Sequence, residues 1–142
     1  MSVLLDTNVI SELVRGVPDA GVVIFVSQLR SAFVPVIAVH EIEYGIELLP
    51  KGQRRAILEA GIASVLKLYS HALLPVERAE AQLAARLRAE ARQRGRTLHL
   101  PDALIAATAK ENGLTLATRN VSDFDYLGVA VIDPWAPDPS AR

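Results

Sequence analysis

Four segments of this chain each place a carboxylate where one end of a parallel sheet is expected. They are Val3-Leu4-Leu5-Asp6-Thr7-Asn8, Val39-His40-Glu41, Leu100-Pro101-Asp102 and Thr118-Arg119-Asn120-Val121-Ser122-Asp123. Two unit charges about 4 Å apart repel by roughly 4 kcal/mol at an effective dielectric near 20. Carboxylates that converge must therefore take up protons or hold a cation. Cysteine is absent, and His40, His71 and His99 lie too far apart in sequence for a paired zinc-ligand spacing. Hard oxygen donors remain, and these suit Mg2+, Mn2+ or Ca2+. The chemistry expected is that of a Mg2+ or Mn2+ site.

The elements that must position these acids are read from periodicity. Short β-rich runs at 3–5, 32–36, 72–74, 114–117 and 129–132 alternate with helical patterns near 8–15, 19–29, 38–49, 53–68, 77–93 and 102–112. That alternation predicts an α/β domain with a parallel sheet. The run Val22-Val23-Ile24-Phe25-Val26 is crowded with β-branched residues but sits where the alternation wants a helix, and it is assigned as helix. Pro101 suits a first helical turn, and Gly95 and Gly113 are placed for left-handed caps. Helix 102–112 is apolar nearly all round and is expected to be buried.

Ligands of open parallel sheets bind beyond the carboxyl ends of the strands. Asp6 follows the first strand, Glu41 lies early in the helix after the second, and Thr118, Asn120 and Asp123 follow the strand at 114–117. Asp102 opens the helix that leads into that strand, at its opposite end in sequence, so only tertiary packing can bring it to the same edge. Plainer roles exist for each. Asp6 suits a helix N-cap, Asp102 suits a first-turn acid complementing the helix dipole, and Asp123 suits a turn. The apolar stripe Val39, Ile42, Ile46, Leu49 makes Glu43 rather than Glu41 the border residue by periodicity alone. His40 and His99 are read as surface or structural.

The chain has 142 residues with net charge −1, 51% hydrophobic and 22% charged residues. This predicts one soluble domain with a substantial core and no global attraction to nucleic acid. No signal peptide or membrane span is recognised, so the cytoplasm is the default location. Arg86, Arg88, Arg92, Arg94 and Arg96 carry one compensating acid, Glu90, and form either a solvated helix face or a phosphate-contacting patch leading toward Asp102. Trp135 is read as a packing anchor.

Taken together, Leu-Leu-Asp-Thr-Asn-Val-Ile, Glu41-x-x-x-Gly45, Pro-Asp-Ala-Leu-Ile-Ala-Ala-Thr-Ala and Ala-Thr-Arg-Asn-x-x-Asp-Phe resemble a PIN domain, in particular the VapC and FitB-like toxins of toxin–antitoxin pairs. The resemblance implies a three-layer α/β/α fold over 1–135, with a central, mostly parallel sheet of about five strands and an irregular tail at 136–142. It implies Asp6 and Asp102 as principal Mg2+ ligands, with Mn2+ able to substitute, and Glu41 as a second acid. Some members carry Asp where this chain has Asn120, so the fourth acid is assigned to Asp123, with Asn120 as a neutral hydrogen-bonding partner; one fewer carboxylate favours a single ion. Thr7, Asn8 and Thr118 would orient carboxylates or a water, and Arg86, Arg92, Arg94 and Arg96 would contact RNA phosphates.

The activity so implied is Mg2+-dependent endoribonucleolytic cleavage by a toxin. Its partners would be an RNA substrate, a cognate antitoxin and a second copy in a homodimer, with DNA reached only through the antitoxin and no membrane. Val9, Leu13 and Val14 are expected to form part of an exposed apolar groove for the antitoxin. Two other functions compete: a non-catalytic RNA- or antitoxin-binding module on a decayed nuclease fold, and an Asp-dependent phosphatase, weakened because Asn8 replaces the second acid of an Asp-x-Asp pair.

Overall fold

A computed structural model describes residues 1–136; the expected tail, from residue 137 onward, lies outside the described residues. The element order is β1 (Ser2–Leu5), α1 (Thr7–Leu13), α2 (Ala20–Ser27), β2 (Ser31–Pro35), α3 (Val36–Glu47), α4 (Gln53–Leu68), β3 (Leu73–Leu74), α5 (Arg78–Gln93), α6 (Leu100–Glu111), β4 (Thr115–Ala117) and β5 (Val131–Ile132), with a 3-10 turn at Val121–Asp123. The five strands form one sheet in the order β3-β2-β1-β4-β5, and every pairing is parallel.

Side chains alternate across a strand, and each face of this sheet acquires its own core. Val3 and Leu5 of β1, Val34 of β2 and Ala117 of β4 face a cluster built from α1, α2, α3 and α4. Leu4 and Leu116 point the other way, into a cluster built from α5 and α6. The result is the three-layer α/β/α arrangement. β1 is central, and Val3, Leu4 and Leu5 are all fully buried, which explains a continuous apolar run in place of an alternating one.

Local chemistry fixes the boundaries. α2 is helical as assigned despite its β-branched run: Asp19 caps it, accepting the Val22 N–H at 3.1 Å, and Val22 is driven into the core. At the ends of α5 and α6, Gly95 (φ 72°) and Gly113 (φ 63°) take the left-handed conformation. Each lets the following residue's N–H reach back to a last-turn carbonyl, Arg96 to Ala91 at 2.9 Å and Leu114 to Ala109 at 2.9 Å.

Several boundaries depart from expectation. β2 ends at Pro35, which serves directly as N-cap of α3, so the helix starts at Val36 with no intervening loop and Glu41 falls in its second turn. α6 begins at Leu100 rather than at Asp102. β5 keeps only Val131 and Ile132 of the four residues expected. Among the described residues no helix is long and apolar enough to cross a membrane.

Candidate active site

The backbone ladder delivers two of the site's side chains side by side. The Asp6 N–H donates to the Ala117 carbonyl at 2.9 Å and the Thr118 N–H to the Ile132 carbonyl at 2.9 Å, so both residues stand one step past their strands on the same edge. There the Thr118 hydroxyl donates to Asp6 Oδ2 at 2.7 Å, and the Thr7 N–H donates to Asp6 Oδ1 at 2.7 Å. Asn8 Nδ2 reaches both Asp6 Oδ2 and Thr118 Oγ1, each at 3.3 Å. The Asn120 N–H donates to Thr118 Oγ1 at 3.0 Å. Glu41 is held from α3 by the Thr7 hydroxyl, which donates to its Oε1 at 2.8 Å.

Asp102 arrives by a route that strand order alone conceals. α6 has 12 residues, about 18 Å at 1.5 Å per residue, and turns through Gly113 straight into the 3-residue strand β4, about 10 Å long. A helix joined so tightly to the following strand runs back antiparallel to it, and its first turn overlies that strand's carboxyl end. Asp102, the third residue of that turn, therefore reaches the edge that carries Asp6.

Asp6, Glu41 and Asp102 line one cavity of about 690 Å³, together with Thr7, Asn8 and Asn120. Asp6 is 4% exposed. Burial raises its pKa to about 6 against the hydrogen bonds of Thr118 and Thr7, with the charges of Asp102 and Glu41 adding to the rise. The pKa of Asp102 is raised too, first by burial, then by the charges of Glu41 and Asp123, with His99 opposing. Among the described residues no buried side-chain polar atom lacks a hydrogen-bond partner. What burdens Asp6 is uncompensated negative charge, not a missing bond.

A divalent cation fits that burden. The donors facing the cavity are carboxylate and amide oxygens, the hard ligands that Mg2+ and Mn2+ take. No three His, Asp or Glu among the described residues stand close enough to make a ready cage. The arrangement instead suits an ion that binds through one or two carboxylates and keeps open positions, which is how Mg2+ is commonly held.

Other expected residues stand elsewhere. Asp123 is exposed in the 3-10 turn and does not line the cavity, although its charge acts on Asp102; Asn120 lines the cavity directly. Glu43 is exposed on a separate groove between α3 and α4. Arg86, Arg92, Arg94 and Arg96 are absent from the cavity lining. Arg94 Nη1 donates to the Tyr126 carbonyl at 3.4 Å and Arg96 Nη2 to the Ser122 carbonyl at 2.8 Å, while Arg92 and Arg96 border a second cleft with Leu98.

Val9 is not an exposed groove residue: it is fully buried on the inner side of α1. Leu13 is half-buried against the same core, and Val14 is buried yet borders the cavity. The cavity's apolar wall is formed by Val14, Ile42, Ile46, Leu49, Leu58 and Trp135.

The sequence reading missed Glu12, Arg15, Arg54 and Arg119 on the cavity wall. A signal existed for Glu12, which stands four residues after Asn8 on one face of α1, whereas Arg15 lies two residues past that helix.

Residues 3–128 match the PIN domain family. The chain is 37% identical to Toxin FitB of Neisseria gonorrhoeae over 136 residues, covering 94% of this chain and 98% of FitB. It is 34% identical to VapC ribonuclease Y4jK of Sinorhizobium fredii, covering 95% and 99% of the two chains. Its fold superposes on the crystal structure of FitAcB from Neisseria gonorrhoeae with a TM-score of 0.85 at 36% identity, over 96% of this chain and 100% of the other. The structure of FitAB bound to the IR36 DNA fragment gives the same TM-score, covering 97% and 98%. With nearly its whole length matched in sequence and in fold, this chain belongs to the PIN domain family.

Proposed function

We propose that this chain is a Mg2+-dependent endoribonuclease, with Mn2+ able to substitute, acting in the cytoplasm as the toxin of a toxin–antitoxin pair. The observation that carries the proposal is the meeting of Asp6, Glu41 and Asp102 in one cavity, where burial and mutual repulsion raise the pKa of both aspartates. Asp6 and Asp102 hold the ion, and Glu41 supports it. A bound divalent ion supplies Lewis acidity toward a phosphoryl oxygen and makes a water more acidic.

The chain's own residues orient the rest. The Thr7 N–H and the Thr118 hydroxyl fix the two oxygens of Asp6, and the Thr7 hydroxyl fixes Glu41. Asn8 and Asn120 offer neutral amides beside the acids, suited to steadying a phosphate or a water without adding repulsion. Asp123 serves as the fourth acid through its field on Asp102. Arg86, Arg92, Arg94 and Arg96 contact RNA phosphates beyond the cavity. The FitAB structure, bound to a DNA fragment, supports a partner chain and an association with DNA. We infer that this partner is the antitoxin, with DNA reached only through it, and a homodimer completes the assembly.

The test is incubation of the purified protein with total RNA and Mn2+, with and without chelator, beside Asp6→Asn and Asp102→Asn. Discrete fragments are expected only from the wild type with metal. Loss of several kcal/mol of transition-state stabilisation corresponds to a fall of at least about a hundredfold in the variants, with both still folded by circular dichroism. Undiminished cleavage by both variants would mean the site is misassigned. RNA binding with no cleavage in Mn2+, or in Mg2+ put in its place, would make the chain a binding module.

A further inference from the structure

The acid cavity is also the place where three arginines of unrelated segments meet. Arg15 just past α1, Arg54 in the first turn of α4 and Arg119 after β4 all line it. Their order along the rim follows from the smaller depressions they share: Arg15 borders one with Arg54 and another with Arg119. The backbone N–H of Arg119 donates at 3.3 Å to Asn8 Oδ1, and Asn8 in turn touches Asp6, so the Arg119 side chain leaves the backbone beside the acids. The row therefore runs Arg119, Arg15, Arg54, with the Arg119 backbone at the acid end.

None of these arginines is paired to Asp6, Glu41 or Asp102 among the described residues, although all share one cavity. Each is instead held or left with donors to spare. Arg119 lies over the Trp135 ring at 5.1 Å. Arg15 gives a single nitrogen, Nη1, to Glu12 at 3.2 and 3.3 Å, and its side chain is 63% exposed. Glu12 is buried and also accepts the Asp19 N–H at 3.1 Å, so it is pinned on the protein side and can steer Arg15. Arg54 has no ion pair among the described residues.

A planar guanidinium with free donors matches phosphate oxygens in pairs, which an ammonium does not. A row of them beginning at an acid cluster suits a polyanion whose one phosphate sits at the acids while the next ones pass along the rim. We propose that Arg119, Arg15 and Arg54 form a phosphate track that grips single-stranded RNA on one side of the cleaved bond, with Glu12 and Trp135 as positioning residues. The proposal rests on the nuclease reading for its substrate class.

The experiment measures binding of a fluorescent single-stranded RNA to the full chain in chelator, as a function of salt, for wild type, Arg54→Ala, Arg54→Lys and the triple alanine variant. Every phosphate that the protein no longer grips lowers the log–log salt slope by about 0.7, so the triple variant's slope falls by about 2. Arg54→Lys keeps most of the slope. With Mn2+, the weakened grip appears as a KM raised about tenfold or more, the signature of binding shared by substrate and transition state. Arg54→Ala alone carries the test if the triple variant fails to fold, because Arg54 is exposed.

An unchanged slope and KM would overturn the track, as would a fall confined to kcat. Salt-sensitive binding of an acidic peptide that displaces no RNA would also overturn it, in favour of a protein partner. If the wild type binds RNA through these arginines yet never cleaves it, the nuclease reading fails while the track survives.

Discussion

The acid cavity and the arginine-rich end of α5 are both concentrations of like charge, yet the molecule treats them in opposite ways. At α5, the arginines stand in solvent and spend their donors on backbone carbonyls: Arg88 on Leu98 at 3.1 Å, Arg94 on Tyr126 and Arg96 on Ser122. Arg96 also stacks over the Tyr126 ring at 3.7 Å. Charge there is screened and partly of use to the fold, which leaves exposed donors for the proposed contacts with RNA phosphates. In the cavity, Asp6 and Asp102 are drawn out of water toward Glu41, and the ion pairs of the described residues involve Glu12, Glu47 and Glu59 instead. Charge density alone is not a functional signal; charge kept under a penalty that the fold does not relieve is one.

The largest expected effect measures that penalty. The carboxyl of Asp6 titrates near its ordinary value of 3.8 when unfolded and at about 6 when folded. Between those values the native state holds a proton that the unfolded state has released, so stability rises as pH falls through this window. Above about pH 6 the full cost stands, about 3 kcal/mol at 1.36 kcal/mol per unit. In chelator at about pH 7.5, Asp6→Asn should be more stable than wild type by up to about 3 kcal/mol in urea unfolding, and the gap should close toward about pH 4. Asp6 is also the N-cap of α1, and an Asp6→Asn protein less stable than wild type at neutral pH would show that this capping role outweighs the cost of its buried charge.

A smaller effect sharpens the same side of the comparison. The Thr7 hydroxyl is the hydrogen bond that fixes Glu41 toward Asp6. Removing an outer group that orients a metal-binding carboxylate typically costs about 10–100-fold in affinity. Thr7→Ala should therefore raise the Mn2+ concentration for half-maximal cleavage by about tenfold or more, and Thr7→Ser should restore it. A wild-type midpoint in Thr7→Ala would leave Glu41 without a part in metal binding.

Much of this edge was legible because strand ends impose it: Asp6 and Thr118 each follow an apolar run by one residue, and a parallel sheet sets such positions side by side. Asp102 was assigned from family likeness, since counting strand ends put it at the wrong side. The cap at Gly113 is legible in the sequence; what strand counting leaves out is that so tight a turn makes α6 retrace β4. Glu41 over Glu43 likewise came from likeness. Helical periodicity favoured Glu43, whereas the early start of α3 at Val36 and the reach of Thr7 bring Glu41 to the cavity. Arg54 had no sequence signal, because only the packing of α4 against α1 brings it beside Arg15.

The smallest effect tests the other side of the comparison. Arg88→Ala removes one partly buried hydrogen bond, to Leu98, and the packing of the arginine stem, a cost of about 1 kcal/mol. Leu98 leads into α6, which gives Arg88 a route to Asp102. That route is opposed by the core: Ala103, Ile105, Ala106, Ala107 and Ala109 are all fully buried, so α6 is seated by its own packing and not by the segment before it. Cleavage by Arg88→Ala should therefore stay within about a factor of two of wild type, the reach of an ordinary surface change of about 0.5 kcal/mol. A larger fall in kcat with unchanged stability would mean that the arginine-rich end of α5 holds Asp102 in register, and the division between a charge cluster relieved by solvent and one kept under penalty at the catalytic centre would no longer run between α5 and the cavity.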